Sequence, residues 1–222
     1  MRIILALVVL GVGVWAQEPL GIGGGGFMPV FLFPNLQELN EELSQAGFGE
    51  FDSPLVLWGG CGFGGFLTGS RFGGMGYGGD ITVSSGEKSA QLSLGVGGFV
   101  MEQGLVAQER AALSLGLMIG GGSAELLLVF HKPSSFGEAL ATPASTSLSR
   151  GFFALQPYVS AELFLLDWMF VKVNVGYLFS WGDPWEISGT AVAGPPGQLS
   201  AMVFQVFIVF GGKAPVEEPA GE

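Results

Sequence analysis

Charged residues are scarce: Asp, Glu, Lys and Arg supply 12% of the 222 residues, about half the usual share. So few charges cannot coat an ordinary water-facing surface. Cysteine is nearly absent. Cys61 stands alone, which excludes an internal disulfide and a thiolate metal cluster, and it sits too far along the chain to carry a lipid at the N-terminus. His131 is the single histidine, so a zinc site with the usual ligands is out of reach. Positive charge is short as well: 8 Lys and Arg face 19 Asp and Glu, a net −11, which argues against nucleic acid as a partner. After Ala16 no apolar run of about 18 residues occurs, so no spanning helix is expected. The 39 glycines lack a strict period of three, which excludes collagen. Disorder is equally unsuited to a mean hydropathy of +0.53.

The chain begins MRIILALVVLGVGVWA, with Arg2, an apolar run and a small residue at Ala16. This is the layout of a secretory signal peptide at residues 1–16, cleaved near Ala16. One segment, 35–46, has helical spacing: Leu36, Leu39, Leu43 and Ala46 recur every three or four residues, with Asn35 placed to cap and Gly47 to terminate. The remainder alternates with period two. Eight strands are expected near 19–31, 54–67, 71–85, 88–101, 109–131, 151–165, 168–182 and 198–211. These form one all-β domain over 17–211, an up-and-down antiparallel barrel with the helix between the first two strands. An acidic flexible tail follows at 212–222.

Each strand has a greasy and a polar or small face. Val171, Val173, Val175 and Tyr177 oppose Lys172, Asn174 and Gly176; Leu92, Leu94 and Val96 oppose Gln91, Ser93 and Gly95. Around Gly120-Gly121-Gly122 the pattern changes phase, which suggests a glycine bulge. A soluble barrel turns the greasy side inward, whereas a membrane barrel turns it to lipid. The polar sides carry Gly, Ser and Gln rather than the many Lys and Glu that bulk water favours, so the greasy face is assigned to lipid. Long connections alternate with tight turns, and strands of ten or more residues match a tilted span of about 9–11. Val173→Lys is then expected to impair insertion by about 2–4 kcal/mol near the bilayer midplane, and Lys172→Val to be harmless.

With its leader, eight alternating strands and closing strand Met202-Val203-Phe204-Gln205-Val206-Phe207-Ile208-Val209-Phe210, the chain resembles the small outer-membrane β-barrel proteins of diderm bacteria. It departs from them after Phe210, where Gly211 and acidic residues follow. The resemblance implies an outer-membrane location, surrounding lipid and the barrel-assembly machinery as partners, and a structural, surface-interaction or narrow, porin-like role without enzymatic activity. It leaves the oligomeric state open.

The lumen-facing polar candidates are Gln91, Ser93, Ser114, Glu125, Gln156, Ser160, Glu162, Lys172, Asn174 and Gln205. Glu162 and Lys172 flank a tight turn and are expected to pair inside the lumen, with Glu125 one strand away. Leu36, Leu39 and Leu43 would let the helix plug the barrel against its glycine-rich side, cap the rim or lie on the membrane surface. No cofactor, metal site or catalytic group is expected. Two G-x-G-x-x-G matches, from Gly21 and from Gly60, lack the helix that nucleotide binding needs. Two rivals stand: a secreted soluble barrel holding an apolar ligand, and an outer-membrane lipid-modifying enzyme using His131 with Ser134, Ser135 and Glu138.

Overall fold

Strands follow wherever the sequence alternates, and glycine-rich or polar stretches join them. The computed structural model describes residues 20–141, 144–194 and 199–215; the expected leader and the tail beyond Pro215 lie outside these. In chain order the elements are β1 (Leu20–Phe33), α1 (Gln37–Gln45), β2 (Leu55–Phe66), β3 (Ser70–Ser85), β4 (Lys88–Ala107), β5 (Ala111–Val129), α2 (Phe136–Ala141), β6 (Ser145–Leu166), β7 (Met169–Gly182), β8 (Trp185–Ile187), β9 (Thr190–Val192) and β10 (Ala201–Pro215).

Eight strands close on themselves in the order β1-β2-β3-β4-β5-β6-β7-β10, every neighbour antiparallel, while β8 and β9 form a side hairpin. Registered partners run Phe179, Leu155, Ile119, Phe99, Gly74, Gly62, Gly25, Phe210 and back to Met169 on β7. One circuit therefore descends ten residues along β7. That shear sets a steep strand tilt and a lumen narrow enough for side chains to fill. Inward glycines permit the coiling: a Cβ on Gly26 would lie 2.0 Å from the carbonyl oxygen of Ile208, and one on Gly120 2.0 Å from that of Gly97.

The strands differ in reach. β1, β2, β7 and β10 have 14, 12, 14 and 15 residues, whereas β3, β4, β5 and β6 have 16, 20, 19 and 22. The four long strands are consecutive, so they rise beyond the rest as a sheet at the end bearing the long connections. Three differences from the sequence-based boundaries follow. β6 starts at Ser145, so the loop after β5 is shorter than expected; the loop after β7 holds the β8–β9 hairpin; and β10 runs through Gly211 to Pro215, taking the first residues of the presumed tail into the barrel. The expected bulge at Gly120–Gly122 is absent, since β5 pairs without a break through these residues on both sides. What changes there is which face carries the apolar residues, and not the phase of the strand.

Candidate functional site

Toward the end bearing the tight turns, the outer surface of the barrel is largely hydrocarbon. Leu113, Leu115, Val159, Leu163 and Val175 point outward and are about half exposed. Aromatic pairs bound this belt: Trp168 stacks on Phe210 at 6.3 Å by the tight turns, and Phe153 stacks on Trp181 at 6.0 Å by the long connections. A water-soluble protein does not leave so large an apolar band uncovered. Closure pairs the backbone polar groups, as a lipid-facing sheet requires. The molecule has the build of a closed eight-stranded transmembrane barrel.

Inside the belt lies a polar column. Arg71 on β3, Glu102 on β4, Glu162 on β6 and Lys172 on β7 form a buried four-membered charge cluster: Arg71 and Lys172 each meet both carboxylates, the contacts Arg71–Glu162 and Lys172–Glu102 being the closest. Two of each sign leave it neutral, the condition under which buried charges are tolerable. Arg71 also donates to the Phe66 and Leu67 carbonyls, at 3.0 and 2.6 Å, and the Tyr158 hydroxyl donates to Glu102 at 2.7 Å. Above the cluster Tyr77 donates to Gln156 at 2.8 Å, and Gln156 and Asn174 both donate to the Gln205 carbonyl oxygen, at 3.1 and 3.3 Å. Ser114, Ser160, Asn174 and Gln205 lie on one registered row of β5, β6, β7 and β10. Apolar layers close the column at both ends. Phe63, Phe164 and Phe170 pack together toward the tight turns, and Leu92, Leu94 and Leu126 fill the inside toward the long connections.

Of the residues expected in the lumen, Ser114, Gln156, Ser160, Glu162, Lys172, Asn174 and Gln205 are buried there. Gln91, Ser93 and Glu125 are not: they lie on the outer face of the emergent sheet, opposite in phase to the buried Leu92, Leu94, Ala124 and Leu126. Glu125 accepts from the Ser147 hydroxyl at 2.5 Å on that outer face. The assignment of every greasy face to the outside fails here because in the upper part of β3–β6 the leucines face in and polar residues face out. The expected harmlessness of Lys172→Val is at odds with this geometry, since that change leaves two buried carboxylates to one cation, Arg71. Arg71, Glu102 and Tyr77 escaped the sequence reading, yet one signal pointed to Glu102. It shares its phase on β4 with Leu92 and Leu94, so turning those leucines to lipid would have put a carboxylate in hydrocarbon.

The outward glycines overturn a second expectation. On β2 and β3, Gly60, Gly62, Gly64, Gly74 and Gly76 face outward rather than into the lumen. Leu36, Leu39 and Leu43 are buried in the upper apolar core, but α1 lies across the rim and does not enter the column. Asn35 accepts from the Gln37 N–H, and Gly47, at φ +80°, ends the helix. Lys88, at the tip of the β3–β4 hairpin, donates to the Ala46 carbonyl at 2.6 Å, and Asn40 exchanges two 2.9 Å bonds with the Phe51 backbone.

The parts of the rival hydrolase are arranged as a helix cap. Ser134 donates its N–H and hydroxyl to Glu138 at 2.8 and 2.7 Å, and the Ser135 hydroxyl accepts from the Glu138 N–H. A nucleophile needs a base within hydrogen-bond reach, and His131 bonds to neither serine. The bonds from Ser134 hold the Glu138 carboxyl below the usual carboxylate range.

No protein-family model matches the chain, and no curated protein does. Among solved structures it is similar to the crystal structure of Ail, the attachment invasion locus protein of Yersinia pestis. That similarity has 10% identity and a TM-score of 0.42, and covers 88% of this chain and 99% of that one.

Proposed function

We propose that this protein displays a rigid β-sheet at the cell surface from a closed outer-membrane barrel, and that its role is surface interaction rather than passage of solutes. The observation that carries this reading is the inversion of the four long strands beyond the belt. There Asp80, Thr82, Gln91, Ser93, Ser123, Glu125, Ser147 and Ser149 face out, while Leu92, Leu94, Leu126 and Leu148 form an internal core. A sheet with a dry inside and a polar outside is built to stand in water. The cluster of Arg71, Glu102, Glu162 and Lys172, sealed by apolar layers, supports a shut lumen and speaks against the porin-like reading. In this proposal the leader directs export, outer-membrane lipid surrounds the belt and the barrel-assembly machinery inserts it. His131, which bonds to neither Ser134 nor Ser135, speaks against the hydrolase reading.

Two measurements test the proposal. Purified protein in planar bilayers is expected to give no steady ion conductance, and a cysteine at Ser147 in intact cells to react with a membrane-impermeant maleimide while one at Val173 stays silent. A steady conductance abolished by substitution in the charge cluster would overturn the closed-barrel role. An unreactive Ser147 cysteine, accessible after lysis, would overturn the surface display.

A further inference from the structure

The inner face of the emergent sheet is apolar except at one place. β8 continues the line of β7 along β6: Phe152 pairs with Gly182 of β7, and Ser149 with Glu186 of β8. Between these pairs, Arg150 and Trp185 come side by side on the inner face, the guanidinium 5.7 Å from the ring centre. Their surroundings are hydrocarbon: Ala124 is the cross-strand partner of Arg150, and Leu148 and Phe152 precede and follow it on the same face. Trp185 is 7% exposed, yet its indole N–H has no hydrogen-bond partner among the described residues, and neither has the Nε–H of Arg150. Gly194 lies flat against the indole, where a Cβ would come 2.0 Å from the ring, so the ring is held with that N–H fixed in place.

The Arg150 guanidinium lies over the Trp185 ring and is half-buried, with no carboxylate partner among the described residues. Arg150 joins none of the ion pairs among the described residues. The acids nearest in register, Glu125, Asp183 and Glu186, stand opposite Ser149 and Gly151 of the outer face, and none of them pairs with Arg150. The Nε–H of Arg150 and the indole N–H of Trp185 are buried donors without a partner among the described residues, each costly, and one oxyanion accepting from both relieves both. A guanidinium edge is the side-chain donor best shaped for phosphate.

We propose that Arg150 and Trp185 form an anion-binding site for a phosphate group, entered from the end of the long connections. The phosphate arrives either free or on a lipid headgroup. The site goes beyond surface display and does not depend on it, because conductance and labelling read other parts of the molecule.

The test uses the full barrel in phosphatidylcholine nanodiscs, with and without added lipid A, titrated calorimetrically with inorganic phosphate. Wild type is expected to bind phosphate, R150Q to bind at least about tenfold more weakly, as loss of a charge-assisted pair implies, and W185F, which keeps the stack but loses the N–H, to fall several-fold. Lipid A that weakens phosphate binding identifies the headgroup as a source; lipid A without effect leaves the free anion. Heat-modifiable gel migration establishes that each variant is folded, and if R150Q fails to fold, W185F decides. Binding unchanged in the folded variants, or no phosphate binding by wild type in phosphatidylcholine, would overturn the site.

Discussion

The lower and upper halves of β3–β6 share one unbroken backbone alternation and carry opposite chemistry. On β5 the even-numbered residues face in throughout: Ser114 and Met118 in the lower half, Ala124 and Leu126 in the upper. The outward residues change from Leu113, Leu115 and Ile119 to Ser123 and Glu125, with Gly120, Gly121 and Gly122 between. On β4 the same exchange takes place across Gly95, Gly97 and Gly98. In lipid the inside is the one place where charge can be paired; in water it is the place where hydrocarbon collects. If the upper half stands in water as proposed, one strand satisfies both solvents by exchanging what its two faces carry.

The strongest way to break this contrast is to disturb the inside of the lower half. Lys172→Val leaves Glu102 and Glu162 sharing Arg71 alone, and a buried pair broken on one side costs about 3–5 kcal/mol. Glu125→Ala, which breaks the outer contact with Ser147 in the upper sheet, is expected to stay within about 0.5 kcal/mol. Urea unfolding in lipid vesicles measures both, and equal losses would erase the distinction. The outer face sharpens it: Val173→Lys is expected to cost about 2–4 kcal/mol, whereas Ser149→Lys, four strand residues above the belt aromatic Phe153, is expected to be nearly neutral. If Ser149→Lys is as damaging as Val173→Lys, the upper sheet is immersed and the surface role goes with it.

This division also explains what the sequence could reveal. β7, β10 and the part of β6 after Gly151 were legible because there the alternation runs through the apolar belt, so Lys172, Asn174, Glu162 and Gln205 fell on the right face. Gln91, Ser93 and Glu125 did not, because period two identifies two faces without saying which solvent bathes either. The rule that put Val173 outside put Leu92 outside too. Arg71 and Glu102 were hidden for a related reason: they act through a partnership between strands distant in sequence, 91 residues apart for Arg71 and Glu162. The helix was evident from its spacing, but its seat on the rim depends on Lys88 reaching Ala46, a contact that no local pattern announces.

The smallest expected effect lies outside both halves, at α2. Glu138 is fully exposed, and its carboxyl is held low first by the Ser134 hydroxyl and then by the Ser134 N–H. A carboxyl whose folded pKa is depressed contributes stability above its unfolded value near 4.5 and loses it as the pH falls through the lower folded value. Ser134→Ala removes the larger cause, so the Glu138 titration followed by carboxyl NMR in micelles should move up toward the ordinary carboxylate range. The amides of Val171, Val173 and Val175 should keep their exchange protection at every pH tested, because the belt owes nothing to this cap. An unmoved Glu138 titration would mean that the backbone N–H alone holds the carboxylate, while a parallel loss of protection in β7 would tie α2 to the barrel wall and dissolve the separation between the membrane belt and what stands above it.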